Sequence, residues 1–304
     1  CERQEKQMDF LTGEELLARC EDSGLPISGV MKRRETDNTE QSKEIVDARL
    51  KKALEIMKNS AHGPLLHPQK SMGGLIGGEA KRLAAHAESA GCAVDTLLGK
   101  AIRYSMAVLE VNASMGTIVA APTAGSSGVV PGVLFALQEE RGLSEAELEK
   151  GLLCAGAVGC LLMLNSSVSG AEAGCQAEIG SASAMAAAAA VELMGGSPKM
   201  CLEAASLALS NLLGLVCDPI AGLVESPCQS RNAMGAANAL TCAELALSGI
   251  CHPIPFDEMA SMMHHVGRSL PMELRETALG GCAATPTGQR LGETLKRPQC
   301  AGCK

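Results

Sequence analysis

The chain has 304 residues and a formal net charge of −8, from 26 Lys and Arg against 34 Asp and Glu. Hydrophobic residues make up 46%, yet aromatic residues only 1%: one Tyr, three Phe and no Trp. An acidic chain almost without rings lacks the positive field and the stacking platforms of a nucleic-acid binder, and its length supports one large or two modest domains with a substantial core.

Ala, Leu, Met and Gly must fill that core. Small, unbranched side chains have good helix propensity and let helices approach closely. The fourteen cysteines follow a charged N-terminus without an apolar h-region, so they are expected to be reduced thiols in a cytoplasm. Met8 is a candidate natural start. Cys154, Cys160, Cys201 and Cys242 lie in apolar stretches and read as small core hydrophobes. The most apolar stretch, residues 151–164, is too short to span a membrane.

In chain order, Thr12-Gly13-Glu14-Glu15 has the capping-box pattern ahead of Leu16. A solvated stretch is expected at residues 32–38 and an amphipathic helix at 40–58. Residues 1–60 thus form an N-terminal helical arm. From about Pro64 the composition shifts to Gly, Ala, Ser and Met, and residues 61–293 read as the main domain. Ser144-Glu145-Ala146-Glu147 is a second capping box, opening a helix towards Leu164. An Ala-rich helix at 178–194 is closed by Gly195-Gly196, and Ser197-Pro198 opens the next in the N-cap and N1 roles. Further helices are expected at 229–248 and 257–269. The part at 181–191 is small and apolar all round, as in the centre of a bundle. There is no alternating strand pattern of useful length, so the fold expected is all-α and compact. Residues 294–304 are a tail carrying Cys300 and Cys303.

Two Gly-rich loops interrupt the helices: Ser71-Met72-Gly73-Gly74-Leu75-Ile76-Gly77-Gly78 and Ala121-Pro122-Thr123-Ala124-Gly125-Ser126-Ser127-Gly128. Glycines at a helix N-terminus let N–H groups converge on a carboxylate or phosphate; the plain alternative is a turn that permits close packing. Neither loop has the Walker or dinucleotide pattern. Cys175, Cys217 and Cys228 sit beside Gly or Pro at helix termini, where thiols are more readily thiolates. Their spacing, Cys-x41-Cys-x10-Cys, is unlike that of ferredoxins, and a zinc site would show tighter pairs.

Together these segments resemble the alpha chain of the iron–sulfur L-serine dehydratases. The likeness rests on both loops, on Asn165 through Gly180, on Cys217-Asp218-Pro219-Ile220-Ala221-Gly222-Leu223-Val224-Glu225-Ser226-Pro227-Cys228 with Arg231-Asn232-Ala233, and on Ala283-Ala284-Thr285-Pro286-Thr287-Gly288. The resemblance implies conversion of L-serine to pyruvate and ammonia by a helical domain holding a [4Fe–4S] cluster on Cys175, Cys217 and Cys228. Three ligands leave one iron open as a Lewis acid. It also implies a beta-type partner chain in a hetero-oligomer. Ser71, Gly73, Gly74, Thr123, Ala124 and Gly125 become candidates for binding the substrate's carboxylate and amino group. Asn165, Ser167 and Asn232 are candidates for orienting substrate or cluster. Lys81 and His67 are candidate bases, unless the partner supplies the base. Cys303 or Cys300 is a candidate cap for the open iron. Two rivals are a pyridoxal-phosphate dehydratase using the second loop as a phosphate cup, and a helical zinc module using the tail cysteines.

Overall fold

The computed structural model describes residues 8–38, 42–89 and 91–296, and among these residues it holds helices and loops with no β-strand. It opens with α1 (Gly13–Ser23), α2 (Ile27–Asn38) and α3 (Lys43–Leu66). Thr12 caps α1 by accepting the Glu15 N–H at 3.1 Å. The solvated stretch expected at 32–38 is instead the second half of α2. Ile27 and Val30, in the turn before the charges, are fully buried and anchor it. The charged half is paired as well: Arg34 lies over the Phe10 ring and bonds Asp9 at 2.7 Å, and Lys32 meets Asp47. The next helix, expected at 40–58, starts at Lys43 and continues through Pro64; residues 39–41 lie outside the described residues. Burial of Ala61 and Pro64 offsets the amide hydrogen bond that a proline removes.

The chain continues through α4 (Glu79–Ala87), α5 (Thr96–Ala113) and α6 (Val129–Arg141). α5, capped by Asp95, was not legible in the sequence. α5 and α6 cross closely because Gly128 and Gly132 present no side chain: a Cβ on either would collide with Ser105. α7 (Glu145–Asn165) opens on the full capping box of Ser144 and Glu147. After the short α8 (Gly170–Ala173), a π-turn at Gln176–Gly180 leads into α9 (Ser181–Leu193). Then follow α10 (Pro198–Leu212), α11 (Cys228–Leu247), α12 (Phe256–Ser269), α13 (Gly281–Ala284) and α14 (Pro286–Lys296).

α9 is the axis. Every residue at 181–191 is buried, and α6, α7, α10 and α11 pack around it. An Ala and Ser surface adds little area per residue, so cohesion comes from many close interhelical contacts. α2 lies against α7 and α3 against α5, with Phe10, Leu16 and Ile27 in the same core. Among the described residues no helix is long and apolar enough to cross a membrane.

Candidate functional site

At the N-terminal end of α9, segments far apart in sequence converge around three cysteines. Cys175 precedes the π-turn, an insertion that often marks functional positions. Its neighbour Gln176 is buried and fully engaged. The backbone N–H donates to Leu215 O at 2.9 Å, the side chain donates to Met263 O at 2.9 Å, and Oε1 accepts the Gly214 N–H at 2.7 Å. Cys175 is thereby held against the loop that brings Cys217. Cys217 is fixed in turn, its N–H donating to Leu274 O at 2.8 Å and its carbonyl accepting the Glu276 N–H at 2.7 Å. Cys228 is the first residue of α11, and its carbonyl accepts from Asn232 Nδ2 at 3.0 Å. The three are 3%, 3% and 8% exposed.

As free thiols, Cys217 and Cys228 keep their protons. Hydrogen bonding to Cys175, followed by burial, pushes Cys217 up; burial, then Cys175 and Glu178, push Cys228 up to about 12. Thiolates here need a cationic centre to compensate them. A positive side chain built into the wall is Arg231, paired with Asp218 at 2.8 Å and donating to Val216 O at 2.8 Å. Asp218 also accepts the Cys282 N–H at 2.7 Å, and it stands where a Cβ on Gly281 (φ +57°) would fall. Against the pull of burial, that N–H and Arg231 hold the Asp218 carboxyl below its usual range.

Each glycine loop meets a glutamate. In the second, Thr123 Oγ1 donates to Glu178 Oε1 at 2.7 Å, while Glu178 Oε2 lies 3.9 Å from Cys217 Sγ. Gly125 and Gly170 make room for it, since a Cβ on either would come 2.9 or 2.7 Å from its carboxylate. Asn232 closes this loop, its Nδ2 donating to Gly125 O at 2.8 Å and its Oδ1 accepting the Gly128 N–H at 3.0 Å. Ala124 is exposed, and its carbonyl accepts from Asn112 and Ser127. In the first loop the anion is the chain's own Glu225. Ser71 Oγ and the Gly73 and Leu75 N–H groups donate to its carboxylate at 2.7, 2.6 and 2.9 Å, and the Gly74 N–H donates to Ser71 Oγ at 3.1 Å. Glu225 is 1% exposed and lies between Cys217 and Cys228, so it ties this loop to the cysteine segment.

Other sequence candidates lie apart from this group. Asn165 is exposed and donates to Leu11 O and Leu161 O. Ser167 donates to Glu172 at 2.6 Å. Lys81 is exposed in the first turn of α4, and His67 is exposed at the end of α3. Cys300 and Cys303 lie outside the described residues. Sequence reasoning assigned no role to Glu178, Glu225, Asp218 or Arg231. The available signal was their isolation: single charged residues in otherwise Gly-, Ala- and Ser-rich motifs.

The donor set fits a thiolate-bound cluster. Three buried sulfurs face one another across a wall carrying an arginine.

The family model for the serine dehydratase alpha chain matches residues 22–283. The chain belongs to this family. It is 46% identical over 286 residues to the probable L-serine dehydratase alpha chain of Bacillus subtilis (strain 168), covering 94% of this chain and 95% of that one. It is 43% identical over 280 residues to the L-serine dehydratase alpha chain of Peptoniphilus asaccharolyticus, covering 92% and 96%. Against the L-serine dehydratase of Streptomyces coelicolor it is 36% identical over 281 residues, 90% of this chain but 60% of that longer protein. The three cysteines, both glycine loops, Glu178 and Glu225 all lie inside the matched family region.

Proposed function

We propose that this chain is the catalytic chain of an L-serine dehydratase, which eliminates water from L-serine and yields pyruvate and ammonium. The observation that carries the reading is the convergence of Cys175, Cys217 and Cys228, all buried, with both glycine loops at one end of α9. Its family membership supports the same reaction. We assign Cys175, Cys217 and Cys228 as ligands of a [4Fe–4S] cluster. When bound, such a cluster supplies a Lewis-acidic iron that makes the serine hydroxyl a better leaving group.

The remaining work falls to side chains and loops. Thr123, Ala124 and Gly125 lie where the second loop enters α6, whose N-terminal dipole favours the substrate carboxylate. Neutralising that carboxylate raises the acidity of the α-proton. Glu178 orients the Thr123 hydroxyl, and Asn232 holds the loop against Cys228. Ser71, Gly73 and Gly74 already face Glu225, so their part is to keep the first loop in place beside the cysteines. Lys81 and His67 are this chain's candidate bases, and a base from the partner is the alternative. Cys303 or Cys300 is the candidate cap of the site at rest.

A beta-type chain is the expected partner. The match runs nearly the full length of the alpha-chain relatives but only 60% of the Streptomyces protein, which therefore carries a further segment. The test is iron and acid-labile sulfide analysis of anaerobically purified protein, with serine-dependent pyruvate formation measured alongside. About four irons and four sulfides per chain are expected, with activity lost in air. Each of Cys175→Ser, Cys217→Ser and Cys228→Ser should lower both iron and activity. A fully active protein without iron would remove this reading.

A further inference from the structure

Away from the glycine loops, three chemistry-bearing side chains meet between α7, α9 and α10. Cys154 comes from the middle of α7, Glu192 from the last turn of α9 and Cys201 from the first turn of α10. Cys154 Sγ, Cys201 Sγ and a Glu192 carboxylate oxygen all lie within 4.8 Å of one another, and both cysteines are fully buried. Sequence alone made these cysteines core filler, but three observations set them apart.

The first is the carboxylate. Glu192 Oε2 accepts the Ser28 N–H at 3.1 Å, whereas Oε1 is buried and meets no hydrogen-bond partner of good geometry. No ion pair among the described residues reaches it, and a thiol is only a weak donor. The second is the surplus of acidic groups without a cation. Hydrogen bonding to Cys201, then burial and Glu192, hold the proton on Cys154. Burial, then Glu192 and Cys201, likewise push Cys20 of α1 up to about 12. The third is rigidity. The donors sit on three helices that pack tightly along the α9 axis, which holds a site to narrower tolerances than loops do.

We propose that Cys154, Cys201 and Glu192 bind one zinc ion, which ties α7, α9 and α10 together. Two thiolates and one carboxylate oxygen are ordinary zinc ligands in tetrahedral geometry. Zn–S bonds of about 2.3 Å put two sulfurs roughly 3.7 Å apart, so the group needs to contract by no more than about 1 Å. Binding releases the two thiol protons to solvent, and each thiolate and the carboxylate donates an electron pair to the metal. Nothing is oxidised or reduced. The site uses none of the residues assigned to the cluster.

The experiment is metal analysis by mass spectrometry on the full chain, purified anaerobically with its partner and equilibrated in a zinc buffer at micromolar free zinc. We expect one zinc per chain in addition to the iron. The double variant Cys154→Ala/Cys201→Ala should lose the zinc and keep the iron. Glu192→Gln retains an acceptor for Ser28 and should weaken zinc binding at least about ten-fold, which keeps the test decisive if the double variant folds poorly. Cobalt in place of zinc should show thiolate charge transfer that Glu192→Gln perturbs. The proposal is overturned if the wild type takes up no zinc, or if the double variant keeps it. Loss of zinc with Cys175→Ser instead would move the ion to the cluster site and overturn it too. So would a Cys154–Cys201 disulfide, two mass units lighter, in protein that had never taken up zinc.

Discussion

At the residue scale, the carboxylate of Glu225 has the clearest consequence. Three donors of the first glycine loop converge on it, and Gly73 cannot carry a Cβ without striking Glu225 and Leu223. Charge-assisted hydrogen bonds are worth roughly 1.5–3 kcal/mol each, and removing the acceptor leaves buried donors unpaired. Glu225→Ala should therefore cut serine turnover at least about ten-fold while iron content stays near normal. Added acetate or formate should restore part of that turnover in the variant and none in the wild type. A loss of activity that tracks iron loss and ignores acetate would mean that Glu225 only holds the fold. The motif that contains Glu225 was legible in the sequence. Its partner was not, because 150 residues or more separate the carboxylate from the loop donors and no local pattern records such a pairing.

At the scale of elements, glycines divide into those that let helices touch and those that do not. Gly132 faces Ser105 where α5 and α6 cross, whereas nothing stands near a Cβ on Gly156 within α7. Gly132→Ala should destabilise by about 1–3 kcal/mol through overpacking, and Gly156→Ala should stabilise by roughly 0.5–1 kcal/mol through helix propensity. Opposite shifts in the urea midpoint would check the pair. A second test concerns Glu139 of α6, which bonds His62 of α3 at 3.1 Å and Lys100 and Tyr104 of α5 at 2.8 Å. Burial works against its ionisation, but Lys100, His62 and Tyr104 outweigh it and hold the carboxyl at about 2. Its folded pKa is below the unfolded value, so its stabilisation is complete above about pH 4.5 and is lost as pH falls towards 2. The difference in urea midpoint between wild type and Glu139→Gln should be constant near neutrality and shrink across that window. A difference that persists at pH 2 would assign the effect to packing.

At the scale of the whole molecule, the assembly can be tested directly. If a beta-type chain completes the enzyme, this chain expressed alone should bind iron yet show little serine-dependent pyruvate formation, and the two expressed together should co-elute as one species of larger mass. Full activity of the isolated chain would mean that the alpha chain carries every catalytic group itself. The exposure of both candidate bases is consistent with either outcome.

The all-helical architecture, the capped starts at Thr12, Ser144 and Ser197 and the buried alanine axis could all be read from the sequence. Each is a local property: a cap needs only the next few residues, and a helix buried on all sides is apolar on all sides. The second half of α2 and the whole of α5 escaped that reading. The charges of α2 are satisfied by Asp9, Asp47 and the Phe10 ring, which lie elsewhere in the chain. Tertiary structure alone decided which anion fills the first loop, which glutamate meets Thr123, and that Cys154 and Cys201 lie beside Glu192. A buried polar atom is matched by whatever the packing of distant segments brings within about 3 Å, and sequence spacing does not encode that choice.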